Sequence, residues 1–359
     1  MLSNHRLALL SQIINSLRYT LTFLKCGTIE DFFRLEASSM CQLECPKCPT
    51  GKGLNRKGVI GWGYLRFRDF KRLIDRNPGI KSIELSNYGE IFLNPELKDI
   101  IEYAHVKNIS LTAANGVNLN TINEETIECL VKHKFRYLQI SLDGATNNTY
   151  GIYRKRGNLD QVIKNVKRIN YYKRKYNTKF PKLVWQFVIF GHNEHELPAA
   201  RDMAKRLGMD FMPRFNWDPS YSPVRNREFV RKESGLGAAS KEEFEQKTGE
   251  IGRFDLFCWQ LWFSPQINWD GKLLGCCVNR DSDFGNVFEL GLKKCLRSEK
   301  YIYAKKMLLG REKARDDIPC SKCPTYVKIR SSGNPLLLFL GQLVNMMPRA
   351  IRYQRNLQD

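Results

Sequence analysis

The chain has 359 residues, a formal net charge of +21, a hydrophobic fraction of 42% and an aromatic fraction of 11%. A chain this long and this apolar can bury more than one core, which excludes a mostly disordered protein. The basic surface attracts polyanions in general, but no aromatic-interleaved motif accompanies the scattered Lys and Arg residues, so nucleic acid is not a favoured partner.

The N-terminal segment, residues 1–34, is predicted to be an amphipathic helical segment, because apolar residues recur in it at helical spacing between polar ones. It does not resemble a secretion signal, and eleven cysteines in such a chain favour a reducing, cytoplasmic compartment. Together with the apolar and basic tail, residues 331–359, this segment could pack on the core, contact a partner protein or lie peripherally on a membrane.

Residues 35–217 alternate short β-branched or apolar runs with helix-patterned segments, which predicts repeated βα units with parallel strands. The predicted strands are 34–37, 81–87, 109–115, 137–142, 182–190 and 210–216. The predicted helices are 95–107, 123–134, 159–174 and 194–207. Such a series closes into a full or partial barrel, whose chemistry gathers at the carboxyl ends of the strands.

After a Pro-, Arg- and Glu-rich stretch interpreted as a linker, 218–253, a smaller unit is expected over 254–330. Predicted strands 261–268 and 272–278 flank Asp270-Gly271, a dipeptide that favours a tight hairpin turn. A helix over 292–308 and a Pro-Cys-x-x-Cys knuckle at 319–323 complete this unit. The fold class is therefore α/β with a small hairpin and helix domain at the C-terminal side.

Three cysteines, Cys41, Cys45 and Cys48, form a C-x3-C-x2-C run just after the first predicted strand. Thiolates suit both iron and zinc, but a closed structural zinc site needs four ligands. A four-iron cluster held by three cysteines leaves one iron open, and an open iron can bind a substrate. A zinc site completed by a distant ligand, or a set of buried unreactive thiols, is the alternative.

This cysteine spacing on a loop after the first strand resembles the radical S-adenosylmethionine (SAM) superfamily, and the resemblance extends over about residues 35–216. It implies a partial (β/α)6 TIM-like barrel and a 4Fe-4S cluster whose open iron chelates the amino and carboxylate groups of SAM. It also implies reductive cleavage of SAM to methionine and a 5′-deoxyadenosyl radical, which abstracts hydrogen from a substrate. Lys47 departs from the family, many of whose members have an aromatic residue there.

Four strand-end motifs extend the resemblance. Residues 86–90, Ser-Asn-Tyr-Gly-Glu, resemble the Gly-Gly-Glu element that binds the SAM amino group, while 114–116 and 141–144 resemble the family's Thr-Asn-Gly and Ser-x-Asp-Gly ends. Residues 188–194 resemble the adenine-contacting strand end. An arginine that shares the SAM carboxylate with the serine is expected nearby, as a guanidinium fork suits a carboxylate. The implied SAM-binding residues are Asn87, Tyr88, Glu90, Asn115, Ser141, Asp143 and Arg154.

A second set, Cys258, Cys276, Cys320 and Cys323, resembles the reduced SPASM module, or twitch domain, which holds one auxiliary 4Fe-4S cluster entirely by protein ligands. Zinc is the alternative occupant, and Cys277 could replace Cys276 as the ligand. The remaining cysteines, Cys26, Cys129 and Cys295, lack paired spacing and are expected to be small buried residues.

The resemblance implies an oxidoreductase or maturase that oxidatively modifies a small molecule or a peptide, with an electron donor such as flavodoxin or ferredoxin. Two other functions stay open at this point. One is a radical SAM enzyme that modifies RNA, and the other is a non-catalytic iron–sulfur or zinc protein that binds partners through its basic surface.

Overall fold

The computed structural model describes residues 28, 30–248, 258 and 260–331, which fall into two compact units. The larger unit comprises residues 34–251 with 268–270, and the smaller unit comprises the flanking residues. The predicted amphipathic segment, the apolar tail and Cys26 lie almost wholly outside the described residues. Among the helices that are described, none is long and apolar enough to cross a membrane.

The larger unit is built on strands that follow one another across one sheet in chain order. All pairs from the second to the sixth strand are parallel. One-directional right-handed crossovers place the connecting helices on one face and leave the other to line a partial barrel, as predicted. The strands are β1 (Phe32–Leu35), β2 (Ser82–Glu84), β3 (Ser110–Val117), β4 (Tyr137–Ser141), β5 (Lys182–Ile189) and β6 (Asp210–Phe215).

The helices of the larger unit connect these strands and also follow the last one. They are α1 (Phe67–Arg76), α2 (Leu97–Val106), α3 (Glu124–Lys132), α4 (Asn147–Tyr153), α5 (Leu159–Lys175), α6 (Leu197–Arg206), α7 (Arg227–Glu233) and α8 (Lys241–Thr248). Sequence reasoning did not predict α1 or α4, and the stretch expected to be a linker contains α7 and α8. The signal for α1 was present, since Phe70, Leu73 and Ile74 share one buried helical face.

The central strand β4 is buried at every position, which is typical of a parallel strand covered on both faces. Neighbouring β5 contributes Trp185, whose fully buried indole Nε1 donates to the carbonyl of Leu142 at 2.7 Å. The helices begin at side-chain caps such as Asn123, whose Oδ1 accepts from the backbone N–H of Thr126 at 2.9 Å. This rigid core fixes where each strand ends.

The smaller unit contains α9 (Gln260–Phe263), β7 (Gln266–Ile267), α10 (Val287–Leu290), α11 (Leu292–Leu296), α12 (Glu299–Leu308) and α13 (Pro324–Ser331). The predicted strand 261–268 is wrong in its first half, which is helical. Leu261, Trp262 and Phe263 are all buried. Such a short apolar run has no periodicity in its sequence that distinguishes a buried helix from a buried strand.

The predicted hairpin turn is present, because Ile267 and Leu273 form an antiparallel bridge across it. Gly271 has a φ of +89°, and a Cβ there would lie 2.4 Å from Asn286 Oδ1, so the turn needs glycine. The predicted helix 292–308 is interrupted at Ser298, whose hydroxyl caps α12 by accepting from Tyr301 N at 3.3 Å.

Candidate functional site

The three-cysteine loop follows β1 directly. Cys45 is buried against Leu43, Tyr153 and Phe190, and the side chains of Cys41 and Cys48 pack against the same group. The loop turns tightly, since Cys48 N donates to the Cys45 carbonyl at 3.1 Å. The three predicted metal-ligating thiols therefore converge at one place.

Glycines let neighbouring backbone approach this loop closely. A Cβ on Gly89 would lie 2.3 Å from the carbonyl oxygen of Ser38 and 2.4 Å from that of Met40. Glu90 N donates to the same Met40 carbonyl at 2.7 Å. The end of β2 is therefore held directly against the cysteine loop, and any larger residue at Gly89 would push the two apart.

Cys41 and Cys45 are costly to ionise in the protein alone. Burial raises the pKa of Cys41 to about 12, and the Glu90 carboxylate and the other two thiols act in the same direction. Burial also raises the pKa of Cys45, while the Arg154 guanidinium opposes that rise. Three converging thiols, one buried and two half-buried, fit a group that brings its own positive charge and holds them deprotonated, as an iron–sulfur cluster or a metal does.

Arg154 links the cysteine loop to the ends of β4 and β5. Its Nε donates to Asp143 Oδ2 at 2.7 Å, and its Nη1 lies 3.8 Å from Cys45 Sγ. Asp143 is fully buried, and its other oxygen accepts from Val188 N at 2.8 Å. Burial alone would lower the pKa of Arg154, but Asp143 and the Cys45 thiol hold that pKa well above its usual range. Arg154 is therefore a fixed cation beside the sulfurs.

Glu90 is the buried carboxyl group on the other side of the loop. Its Oε2 accepts from Asn118 N at 2.5 Å, and burial raises its pKa to about 7 against the effect of its backbone hydrogen bonds. Asn118 was not predicted as a site residue, yet its Nδ2 lies 3.7 Å from Cys41 Sγ and its Oδ1 accepts from Gln42 Nε2 at 2.8 Å. Its position just after β3 was the signal available in the sequence.

The backbone of the 86–90 element is held by hydrogen bonds to the side chains of Glu36 and Thr50. The buried Glu36 carboxyl accepts from Tyr88 N at 3.0 Å and from Gly89 N at 3.1 Å, and burial raises the pKa of Glu36 to about 8. Thr50 Oγ1 donates to the Tyr88 carbonyl at 2.5 Å. Tyr88 is itself buried, whereas Asn87 is half-buried. Of these two predicted residues, only Asn87 keeps a partly accessible side chain.

The ends of β2, β3 and β4 are tied together. Asn115 N donates to Ser86 Oγ at 3.1 Å, and the Asn115 amide also donates to the Ser86 carbonyl. Gly116 has a φ of +109° at a β-bulge, and a Cβ there would lie 2.3 Å from Ser141 Oγ. The structure thus brings Asn115 and Ser141 to the same strand edge as the residues above.

Residues 188–194, at the end of β5, lie beside the cysteine loop. Asn193 Nδ2 donates to the Asp143 carbonyl at 3.1 Å, and Phe190 stacks on Tyr153 with ring centroids 4.7 Å apart. Lys47, which departs from the family pattern, pairs with Asp218 at 2.8 Å. The ring that packs against the loop instead comes from Tyr221, over which the Lys47 ammonium lies at 5.6 Å.

The second cysteine set lies in the smaller unit. Burial raises the pKa of Cys258 to about 12 and raises those of Cys276 and Cys320 further, and charge interactions link these thiols to one another and to Cys323. The four predicted ligands are therefore close neighbours. The backbone N–H of Cys277 donates to Gln260 Oε1 at 2.7 Å.

Tyr301 lies close to this second set, since it interacts with Cys258, Cys276 and Cys320. The Tyr301 hydroxyl is buried and donates to the Leu261 carbonyl at 2.8 Å. The buried Lys305 ammonium lies 4.8 Å from the Tyr301 ring centroid and 5.6 Å from that of Trp262. Of the unpaired cysteines, Cys129 and Cys295 are buried, as predicted.

Three comparisons bear on these sites. The profile of the SPASM family, an iron–sulfur cluster-binding domain, matches residues 258–324. In fold, the chain is similar to Streptococcus suis SuiB bound to S-adenosylmethionine, with a TM-score of 0.60, 16% identity, and coverage of 90% of this chain and 79% of that one. SuiB bound to its precursor peptide SuiA gives a TM-score of 0.56. The chain therefore shares the fold of SuiB, and residues 258–324 match the SPASM iron–sulfur cluster-binding domain.

The fold is also similar to that of anSMEcpe with bound AdoMet, with a TM-score of 0.52, 16% identity, and coverage of 90% of this chain and 95% of that one. In sequence, the chain is 26% identical over 153 residues to a cysteine-type anaerobic sulfatase-maturating enzyme of Clostridium novyi (strain NT). That match covers 39% of this chain, and the chain spans 40% of the length of this relative.

Proposed function

We propose that this protein is a radical SAM enzyme that oxidatively modifies a peptide substrate. The observation that carries the proposal is the convergence of three thiols with two charged groups, Glu90, which interacts with Cys41, and Arg154, which lies beside Cys45. A site that joins three thiols, a carboxyl group and a guanidinium suits a cluster with one open iron and a zwitterionic ligand.

The residues that would hold the cofactors follow from this arrangement. Cys41, Cys45 and Cys48 would ligate a 4Fe-4S cluster, and the backbone of 86–90 with Glu90 would face an ammonium group. A bound cluster and SAM together supply one-electron cleavage of SAM and a carbon radical able to abstract hydrogen. The remaining SAM-facing residues proposed are Asn87, Tyr88, Asn115, Ser141 and Arg154.

In this proposal Asp143 orients Arg154 and does not itself touch SAM. The Asp143 carboxylate accepts both the Arg154 Nε–H and the Val188 N–H, so it has little capacity left for a ligand. Arg154 keeps further N–H donors on its guanidinium. Those donors are what the carboxylate of SAM would need.

A peptide is the proposed substrate class because SuiB has been solved with its precursor peptide and the curated sequence relative is named as a maturating enzyme. For the SPASM domain we propose an auxiliary 4Fe-4S cluster on Cys258, Cys276, Cys320 and Cys323. Cys276 is the proposed ligand, and Cys277, whose thiol also interacts with Cys258, is the alternative. A reduced flavodoxin or ferredoxin is the proposed electron donor.

The test is anaerobic purification and reconstitution, followed by iron and sulfide counts and an assay of 5′-deoxyadenosine after reduction with dithionite in the presence of SAM. We expect about eight irons per chain, as two four-iron clusters require, and SAM-dependent 5′-deoxyadenosine. Cys41→Ala should abolish this product, whereas the matched variant Cys295→Ala, at a buried cysteine outside both sets, should retain it. Zinc in place of iron, or no SAM cleavage by the loaded protein, would refute the proposal.

The ligand assignment in the SPASM domain is tested by a matched pair at adjacent positions. Cys276→Ala should reduce the iron count from about eight to about four, while Cys277→Ala should leave it near eight. The reverse result would transfer the ligand role to Cys277. Retention of about eight irons in both variants would show that neither thiol is required for the cluster.

A further inference from the structure

A third group of metal-ligand side chains lies away from both cysteine sites, between helices α2 and α3. Glu102 comes from α2, Cys129 from α3 and His133 from the C-cap of α3. One ligand atom from each lies within 4.8 Å of the others, and Glu102 Oε1 is 3.6 Å from His133 Nε2. We propose that these three residues bind a zinc ion.

The histidine is the observation that separates this group from an ordinary surface cluster. Both ring nitrogens of His133 are buried, and within the described part of the chain neither makes a hydrogen bond. Buried polar atoms in folded proteins almost always have a partner, because an unsatisfied one has lost its hydrogen bonds to water without replacing them. A metal bond would satisfy one of these nitrogens at this place.

The ligand types favour zinc. A thiolate, an imidazole and a carboxylate together suit Zn²⁺, whereas Mg²⁺ and Ca²⁺ prefer oxygen ligands alone. Cys129 and His133 are four residues apart and so share one helical face. Cys129 Sγ lies 3.8 Å from the carbonyl of Lys98 on the adjacent helix, which places this sulfur between α2 and α3.

The distances are close to those of a tetrahedral site. Zinc bonds of about 2.0–2.3 Å place neighbouring ligand atoms roughly 3.3–3.8 Å apart. The Glu102 and His133 atoms already have that separation at 3.6 Å, and the other pairs, at most 4.8 Å apart, need to close by about 1 Å. Water completes the site, or His105 does so, since its ring centroid is 5.3 Å from that of His133.

The position in the fold keeps this site apart from the radical SAM site. Both α2 and α3 connect consecutive parallel strands, so their C-terminal ends lie at the edge of the sheet where the strands begin. The cysteine loop and the strand-end residues lie at the opposite edge. Two helix C-termini, each carrying partial negative charge, meet near the proposed ligands and favour a cation there.

The experiment uses the full chain with its iron–sulfur clusters loaded, so that the seven cluster cysteines are occupied. The protein is dialysed against Zn²⁺ and passed over a chelating resin, and zinc and iron are then counted. We expect one retained zinc per chain with the iron count unchanged. Zinc-edge X-ray absorption should show one sulfur at about 2.3 Å and nitrogen or oxygen at about 2.0 Å.

Three variants separate ligation from folding. Glu102 is exposed, so Glu102→Gln should fold normally and still weaken zinc binding at least tenfold; Cys129→Ser and His133→Gln should lose zinc altogether. Cys295→Ser, which replaces a buried cysteine elsewhere, should retain it. Zinc should raise the thermal midpoint of the wild type and not that of Cys129→Ser.

The proposal is overturned if the wild-type holoprotein retains no zinc, if Glu102→Gln and His133→Gln retain it fully, or if the absorption edge shows a four-sulfur environment. None of these results depends on SAM cleavage. Failure of the zinc site is therefore distinguishable from failure of the proposed radical SAM activity.

Discussion

The two cysteine sites of this protein differ in what surrounds the sulfurs. In the larger unit, three thiols lie among ionic and amide groups, with the Arg154 guanidinium 3.8 Å from Cys45 and the Asn118 amide 3.7 Å from Cys41. In the SPASM domain, the buried Tyr301 interacts with Cys258, Cys276 and Cys320, and the buried Lys305 ammonium lies over the rings of Tyr301 and Trp262.

This difference indicates a division of labour. Three ligands leave a coordination position for a reactant, and charged groups around them can orient that reactant. Four ligands close the coordination shell, and an apolar surrounding limits the access of water and sets the potential of the group. The core site is thus suited to binding and chemistry, and the SPASM site is suited to structure and electron transfer.

The largest expected effect is a difference in SAM cleavage between variants of the two cysteine sites. Cys45→Ala should lower 5′-deoxyadenosine formation at least 10³-fold, because it removes a ligand of the proposed catalytic cluster. Cys258→Ala should remove about four irons but leave SAM cleavage without substrate within about tenfold of wild type. The measurements are iron counts and a timed 5′-deoxyadenosine assay; equal loss of SAM cleavage in both variants would contradict the division of labour.

A second prediction concerns the fixed cation of the core site. Arg154→Gln should destabilise the protein by about 3–5 kcal/mol, because it leaves the fully buried Asp143 carboxylate without its ion-pair partner. Arg168→Gln is the matched control, since Arg168 pairs with Glu124 on the surface, where loss of the pair should cost far less. Urea unfolding of both variants checks the prediction, and equal costs would show that the Asp143 pair adds nothing beyond a surface pair.

A third prediction concerns how the stability of the protein depends on pH through Glu36. The pKa of Glu36 is about 8 in the folded protein against 4.5 when unperturbed, so its stabilising protonated form is fully present below about pH 4.5. That stabilisation is lost as the pH rises towards 8, at about 1.4 kcal/mol per pH unit within this window. Thermal unfolding between pH 5 and 8.5 should therefore depend more steeply on pH in the wild type than in Glu36→Gln.

The control for the pH experiment is Glu228→Gln, at an exposed position on α7. This variant should keep the wild-type slope. If Glu36→Gln also keeps that slope, the Glu36 carboxyl is already ionised in the folded protein, and its hydrogen bonds to the 86–90 backbone outweigh the effect of burial.

The smallest expected effect tests the amide beside Cys41. Asn118→Ala removes one hydrogen bond towards a ligand sulfur, which is worth about 1 kcal/mol and corresponds to about 40 mV for a one-electron couple. The potential should fall, because a hydrogen bond to sulfur stabilises the more negative, reduced state. A redox titration followed by electron paramagnetic resonance measures it; an unchanged potential would show that Asn118 only packs the loop.

Several features of the protein could be read from the sequence because they depend on local spacing. The C-x3-C-x2-C run, the alternation of apolar runs and helical patterns, and the strand-end motifs are set by residues near one another in the chain, and the parallel sheet and both cysteine sets follow from them. The family-based assignment of individual SAM contacts remains a prediction.

Other features were decided only by tertiary structure. Asn118 reaches Cys41 across 77 residues of sequence, and Arg154 reaches Cys45 across 109. Residues 261–263 are helical because packing decides the secondary structure of a short apolar run, whose sequence has no clear periodicity. In the sequence Cys129 is an isolated cysteine, and only the packing of α2 against α3 places it beside Glu102 and His133. Such long-range pairs depend on how helices and strands pack, which no local pattern encodes.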